Sequence, residues 1–283
     1  MSVVSAPRAR PARTPPASPS TARSLRAVVR RGLSDNRRAP LTWGLPLGAM
    51  CALIVAIYPS IEDSLDELMR NYPQGLKEAF GIEELNSVEA YLDAEMFSLI
   101  VPLAIAFFAV RVISRAIPAA EESAYLDTAL AAPLSRRVLV GGAFAVSAIA
   151  SALVLAVVFG LTMVAEVIAG TGLSALKAAA GAANVWPLAV FFAGLAMLVA
   201  GFAHRSAPVT AISAATLVAM YVVDLLGKVA DAMEPFRYAT VFKYYGSGLT
   251  DGIDPAAFTG LTLCGAALAA AGALLFERRD VLA

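Results

Sequence analysis

The chain has 283 residues, 59% of them hydrophobic and 16% charged, with a formal net charge of +0 and a mean hydropathy of +0.70. Apolar runs near the ~20 residues needed to cross a bilayer recur with few charges inside them, which excludes an ordinary soluble domain and reads as an integral membrane protein. The single histidine, His204, argues against a histidine-built metal site or a Ser-His relay in this chain, and Cys51 and Cys264, both inside apolar runs, read as small core residues and not as a disulfide framework.

The first segment, residues 1–23, is rich in Pro, Ser, Ala and Arg and reads as a disordered basic cytosolic tail. It is not a secretory signal, because no apolar core with a small-residue cleavage site follows at the usual distance. Residues 24–38 then read as an amphipathic interfacial helix. Leu25, Val28, Val29 and Leu33 fall on one side, and the arginines turn towards anionic headgroups.

The remainder, 39–283, forms an all-α polytopic domain in this reading, with spans at about 41–59, 96–117, 138–169, 185–203, 207–226 and 256–276. The third is longer than a straight crossing needs. Pro187 and Pro208 fall in the first turns of their helices, where a missing N–H is harmless, whereas Pro46 and Pro102 lie deeper and are expected to kink the first two spans. No internal repeat is evident.

Charge orients these spans. Residues 1–40 carry nine arginines against one acid, Asp35, while residues 60–95 carry ten acids against Arg70 and Lys77. The positive-inside rule places the N-terminus in the cytoplasm. With six spans, Arg115, Arg136, Arg137, Arg205, Arg278 and Arg279 fall on the same side, and the C-terminus is cytoplasmic too. The outer segments are then 60–95, 170–184 and 227–255. The first reads as two helical pieces broken near Pro73 and Gly75. The aromatics of the last (Phe236, Tyr238, Phe242, Tyr244 and Tyr245) read as interfacial anchors or, alternatively, as a substrate exit surface.

One charged stretch interrupts the apolar phase on the inner side: AEESAYLDTALAAPLSRRVL, residues 120–139. Residues 119–131 are good helix formers, Pro133 stops the helix, and Ser135 can cap the third span with Arg136 and Arg137 at the headgroup boundary. The resulting helix presents Glu121, Glu122 and Asp127 beside Tyr125, Leu126, Ala129 and Leu130. Pinned by short connections, it cannot move without moving both flanking spans. Physics alone leaves two readings open, a solvated interfacial helix or a grip for another protein.

The stretch IPAAEESAYLDTALAAPLSRRVLVGGAF resembles the first cytosolic loop of type-2 ABC exporter permeases, with Glu121, Glu122, Leu126, Leu130, Pro133, Ser135 and Arg136 as the matching residues. Ala124, Tyr125 and Leu126 stand where that family often has Gly-Thr-Leu. The order of a basic surface helix, YPS after the first span, an acidic outer helix, EPFRYATVFKYY before the last span and a C-terminal FERRDV extends the resemblance along most of the chain.

The resemblance implies the permease subunit of an ATP-driven exporter in a bacterial plasma membrane, moving a hydrophobic or amphipathic compound such as a drug, antibiotic or lipid. Its partners would be two separate ABC ATPase subunits, a second permease (a copy of this chain or another) and membrane lipids, with no nucleic acid. Glu121, Glu122, Tyr125, Leu126, Asp127, Leu130, Pro133, Ser135 and Arg136 would form the ATPase-coupling helix. The chain would carry no cofactor and no catalytic residue. The sequence has no G-x-x-x-x-G-K-[ST], so ATP with Mg would bind on the partner. A different class of reading makes the protein a non-transporting membrane anchor or sensor that recruits a cytosolic partner through residues 120–132.

Arg111 lies inside the second span, where it either snorkels to the inner headgroups or lines a polar transport path. Glu166 and Asp224, near outer span ends, are expected to reach water. His204 and Arg205 sit in a tight inner turn, as a topology anchor or a second ATPase contact. Ser147 and Ser151, without a basic partner, are expected to bond carbonyls or let helices approach. An E-E-x-x-x-R intramembrane protease is set aside because Leu126 occupies the arginine position. In the last span Gly260, Gly265, Ala266, Ala269, Ala270 and Gly272 favour close helix packing.

Overall fold

A computed structural model describes residues 21–71, 87–117, 136–203 and 205–278; all regular structure among them is helical. The basic stretch forms helix α1 (Thr21–Asp35). A turn and a π-helical stretch, Pro40–Gly44, lead into α2 (Leu45–Asn71), with Pro46 as its second residue. Pro46 has no N–H to donate backwards, and the widened turns lie directly before it.

The second apolar run is broken. Helix α3 (Val88–Leu92) continues as a π-helical stretch, Asp93–Phe97, and α4 (Ile100–Ala116) follows at an angle of 41°. Pro102 cannot offer an N–H to the carbonyl of Ser98, and the chain opens at Ser98–Leu99, where Leu99 leaves helical geometry (φ −137°, ψ −64°). The expected kink is therefore a break on the N-terminal side of Pro102.

Helix α5 (Arg136–Ala169) has 34 residues, about 51 Å at 1.5 Å per residue, longer than the hydrocarbon core of a bilayer. Gly170 and Gly172 take positive φ in the tight connection to α6 (Ala175–Phe202). Helix α6 starts ten residues before the expected 185, so Pro187 lies inside it and not in its first turn. The alanine-rich run Ala178–Ala183 is strongly helix-forming and carries the helix past the predicted start. Helix α7 (Ser206–Val229) does hold Pro208 in its first turn. A 3₁₀ turn (Asp231–Met233) and two short helices, α8 (Glu234–Arg237) and α9 (Val241–Tyr245), precede α10 (Pro255–Arg278).

Five helical stretches (Pro40–Glu62, Arg137–Ala169, Ala175–Phe202, Ser206–Val229 and Pro255–Arg278) are long and apolar enough to cross a membrane, with a sixth span if the bent pair α3–α4 is counted as one. Helix α6 is the centre of the bundle. Phe192, Leu188 and Met197 on it pack with Ile105 and Ile113 of α4 in the fully buried core.

Backbones approach closely along three seams. Gly194 and Gly201 of α6 face Gly265 and Gly272 of α10; a Cβ at Gly194 would lie 2.1 Å from the Gly265 carbonyl oxygen, and one at Gly272 would lie 2.4 Å from that of Met197. The small-residue rule for membrane helices accounts for this seam. Gly260, on the same helix, has open space and takes no part. Gly44 and Gly48 seat the start of α2 on Val157 and Leu161 of α5. Helix α1 docks on α5 reciprocally, with Gly32 against Val146 and Gly142 against Val28.

The outward faces are hydrocarbon. Leu53, Val167, Ile168, Phe202, Val218 and Leu263 are all exposed, and Val167 is 85% accessible. So much bare apolar surface suits lipid and not water. Inside, most hydroxyls and amides have partners. The Ser114 hydroxyl donates to the Ser206 carbonyl (2.9 Å) and accepts from Thr210 (2.8 Å), Ser147 donates to the Ala109 carbonyl (3.2 Å), and Trp186 donates to the Ala148 carbonyl (2.9 Å). Ser147 thus bonds a carbonyl as expected; the Ser151 and Ser213 hydroxyls are buried without a partner among the described residues.

Candidate functional site

Successive long helices run antiparallel, so the bundle has two ends of opposite charge. One end collects α1, the end of α4, the start of α5, the α6–α7 turn and the end of α10, with Arg23, Arg26, Arg30, Arg31, Arg37, Arg38, Arg111, Arg115, Arg137, Arg205 and Arg278. The other collects α3, the α5–α6 connection and residues 230–254, with Glu89, Asp93, Glu95, Glu166, Asp224, Asp231, Glu234, Asp251 and Asp254.

At the arginine-rich end, residues Glu121, Glu122, Tyr125, Leu126, Asp127, Leu130, Pro133 and Ser135 of the predicted coupling helix lie outside the described residues, as do His204 and the side chain of Arg136. Their flanks are described. Helix α4 closes with Ile117 buried, its N–H bonded to the Ile113 carbonyl at 3.3 Å. Helix α5 lies against α4 through Ser147 and Ala109. Segment 118–135 therefore joins the adjacent ends of two helices that pack on each other. Arg137, in the first turn of α5, forms a two-pronged ion pair with Glu277 near the end of α10, its second nitrogen 3.0 Å from Oε2. Arg205 precedes α7 in extended geometry and is exposed.

Arg111 is half-buried and lines a crevice between α4 and the α1–α2 elbow, with Arg38, Arg115, Trp43 and Phe108 around it. The structure brings it towards the arginine-rich end.

The acidic end holds ion pairs between elements distant in sequence. Asp224, expected to reach water, is only 2% accessible and sits between Arg237 (3.0 Å) and Lys228 (3.2 Å). Gly227, one helical turn from Asp224, leaves the space that Arg237 crosses; a Cβ there would meet the arginine Cγ at 2.3 Å. Glu89 is buried, with Lys177 at 3.5 Å and the Ser174 N–H at 3.4 Å. Asp93 lies near Ser247, Asp251 and Lys228. Glu166 is half-buried; it accepts from the Thr171 hydroxyl and, at 2.9 Å, from the Gly172 N–H, so it holds the α5–α6 connection.

The aromatic loop divides. Phe242 is buried edge-on to Tyr221, with ring centroids 5.4 Å apart. Tyr245 is buried, donates its hydroxyl to the Phe97 carbonyl at 3.0 Å, and offers its own carbonyl to Asn184 at 2.7 Å. Burial pushes its phenol well above the usual tyrosine range, and the nearby Asp93 charge adds to this, so it stays a donor. Phe236, Tyr238 and Tyr244 are exposed, as interfacial anchors would be. The i,i+4 spacing of Asp224 and Lys228 was the one sequence signal for this network.

A third feature is lateral. Between α5, α6 and α10 lies a groove of about 340 Å³, walled by Leu155, Phe159 and small alanines and closed at one side by Trp186 stacked on Phe258 (6.1 Å). With the indole N–H already bonded to Ala148, the groove presents almost only hydrocarbon. Its size lies within the range of small-molecule sites.

A comparison with curated proteins gives no match. Residues 33–277, from within α1 to the penultimate residue of α10, match the family described as "Multidrug efflux system permease Rv1217c, C-terminal domain". That match is consistent with the type-2 exporter resemblance and with a transport subunit, and it spans the whole membrane bundle described above. The chain is a multi-pass membrane protein that belongs to this multidrug efflux permease family.

Proposed function

We propose that this chain is the transmembrane subunit of an ATP-driven exporter. Its arginine-rich end faces the cytoplasm, and residues 120–132 dock into separate ATPase subunits. The family match over residues 33–277 carries this reading. Two ATPases and a second permease, identical or not, complete the transporter, and ATP with Mg binds on the ATPase chains. The cargo is a hydrophobic or amphipathic compound; the hydrocarbon groove beside Trp186 and Phe258 supports that class.

The mechanics follow from the packing. Segment 118–135 links two helices in direct contact, so a pull on it acts on α4 and α5 together. Helix α5 seats both α1 and the start of α2, and α4 packs on α6. Closure of the ATPases would then bias a bundle with two alternative packings, provided the two states bind the closed ATPase pair differently.

Pull-down of the tagged full chain from its native host tests this. A stoichiometric ATPase, lost on mutating 121–130, is expected. Recovery with no ATPase, or with a signalling protein in its place, moves the reading to a membrane anchor or sensor. Glu122→Arg is expected to insert normally and to abolish export, and normal export by that variant would count against the coupling assignment.

A further inference from the structure

The crevice at the arginine-rich end extends beyond Arg111. Two adjoining cavities, about 220 and 320 Å³, share Asp35, Asn36, Val112 and Arg115, so they form one continuous cleft between α1, the α1–α2 elbow, α4 and α5. Arg31, Arg38, Arg111 and Arg115 all line it. The single carboxylate in the cleft, Asp35, is taken up by Arg31 at 3.3 Å. Among the described residues, no carboxylate forms an ion pair with Arg38, Arg111 or Arg115. The walls are apolar, with Leu139, Ala143 and Val146 at one side and Trp43 and Phe108 at the other.

From this geometry we infer a binding site for an anionic phospholipid, with its phosphate among Arg38, Arg111 and Arg115 and its acyl chains along the apolar wall. Three observations select that occupant. First, three arginines line the cleft without an ion-pair partner among the described residues, and the guanidinium fork matches phosphate oxygens. Second, Arg111 interrupts an apolar run, Phe107–Val110 before it and Val112–Ile113 after it, where a charge is costly unless it reaches an anion, and lipid phosphates are the abundant anions at a membrane surface. Third, Trp43 sits beside it, the residue type enriched at the headgroup level. The mouth is built by α1, whose glycine-to-valine contacts with α5 fix it there as part of the bundle. This is a pocketed lipid with a defined place, distinct from loose adsorption of a basic helix. The inference rests on the membrane fold and not on the ATPase reading.

The test is native mass spectrometry of the full chain released from nanodiscs of equimolar phosphatidylglycerol and phosphatidylcholine. Wild type is expected to retain phosphatidylglycerol over phosphatidylcholine by about tenfold, the scale of one or two favourable charges at a membrane surface. Arg111→Gln/Arg115→Gln should bring the ratio to near parity, and Arg111→Lys/Arg115→Lys should keep most of it. Arg23→Gln/Arg26→Gln, on α1 but off the cleft, should leave it unchanged. Equal retention of the two lipids by wild type overturns the inference even if the glutamine variant does not fold. An equal loss in the Arg23/Arg26 control also overturns it, because the preference would then be general surface charge.

Discussion

The two ends of this bundle treat charge in opposite ways. At the acidic end three carboxylates find their partners inside the chain: Asp224 lies between Arg237 and Lys228, Glu89 beside Lys177, and Glu166 on the Thr171 hydroxyl and Gly172 N–H. At the arginine-rich end Arg38, Arg111 and Arg115 line a cleft without such partners among the described residues, and Arg205 is exposed. A network satisfied internally holds loops in place. A network left open is available to something outside the chain. In the proposed reading the acidic end maintains the fold and the arginine-rich end recognises partners, although net charge over the whole chain is +0.

The sharpest way to break that contrast is to remove the centre of the closed network. Asp224→Ala leaves the guanidinium of Arg237, which is largely buried, and the ammonium of Lys228 without their anion. A cost of about 3 kcal/mol is expected, because deleting one member of a buried pair leaves the other uncompensated. Thermal unfolding of the detergent-purified protein measures it, with Arg115→Gln as the foil. Arg115 is exposed and unpaired among the described residues, so its loss should change stability by less than about 0.5 kcal/mol. Equal destabilisation by the two variants would mean that the ends do not differ in this way.

A smaller effect tests whether the aromatic loop belongs to the closed network. Tyr245→Phe removes one buried donor and leaves the Phe97 carbonyl short of a hydrogen bond, at a cost of about 1 kcal/mol. The sign with pH follows from the raised phenol pKa. A folded-state value above the unfolded one means that the contribution is fully present below the unfolded tyrosine pKa and declines only as pH rises past it. The difference between wild type and Tyr245→Phe should therefore stay constant between pH 6 and pH 9. A decline within that range would show that the hydroxyl is not held as a buried donor.

Much of this architecture was legible in the sequence, and the misses share one cause. Apolar runs near membrane length located the long helices, and Gly265 with Gly272 announced a close seam, because both signals are local. The start of α6 lies ten residues ahead of the expected 185, so the helix runs through Gly181 and Asn184. In the fold both serve tertiary contacts: Gly181 makes room for Leu249, and Asn184 bonds the Tyr245 carbonyl. Asp224 with Lys228 is an i,i+4 pair within reach of sequence reasoning, but Arg237 arrives across a turn that no spacing rule predicts. Arg111 stood out as a charge in an apolar run. That it faces α1 depends on Gly32 and Gly142 meeting Val146 and Val28, contacts far apart in the chain.

The smallest expected effect sharpens the comparison from the other side. Arg137 and Glu277 form the one ion pair at the arginine-rich end that links two long helices among the described residues, α5 to α10. Its arginine side chain is 75% accessible, in contrast to 3% for Asp224. Solvent screens an exposed pair, and holding two long side chains together offsets what attraction remains. Arg137→Gln and Glu277→Gln, singly and together, should therefore leave the melting midpoint within experimental error, with no coupling between the two substitutions. The pair still sits where segment 118–135 enters α5, so its effect is expected in transport and not in stability. A measurable coupling energy in the double-mutant cycle would show that this end too is held by internal charge, and the division between the two ends would have to be abandoned.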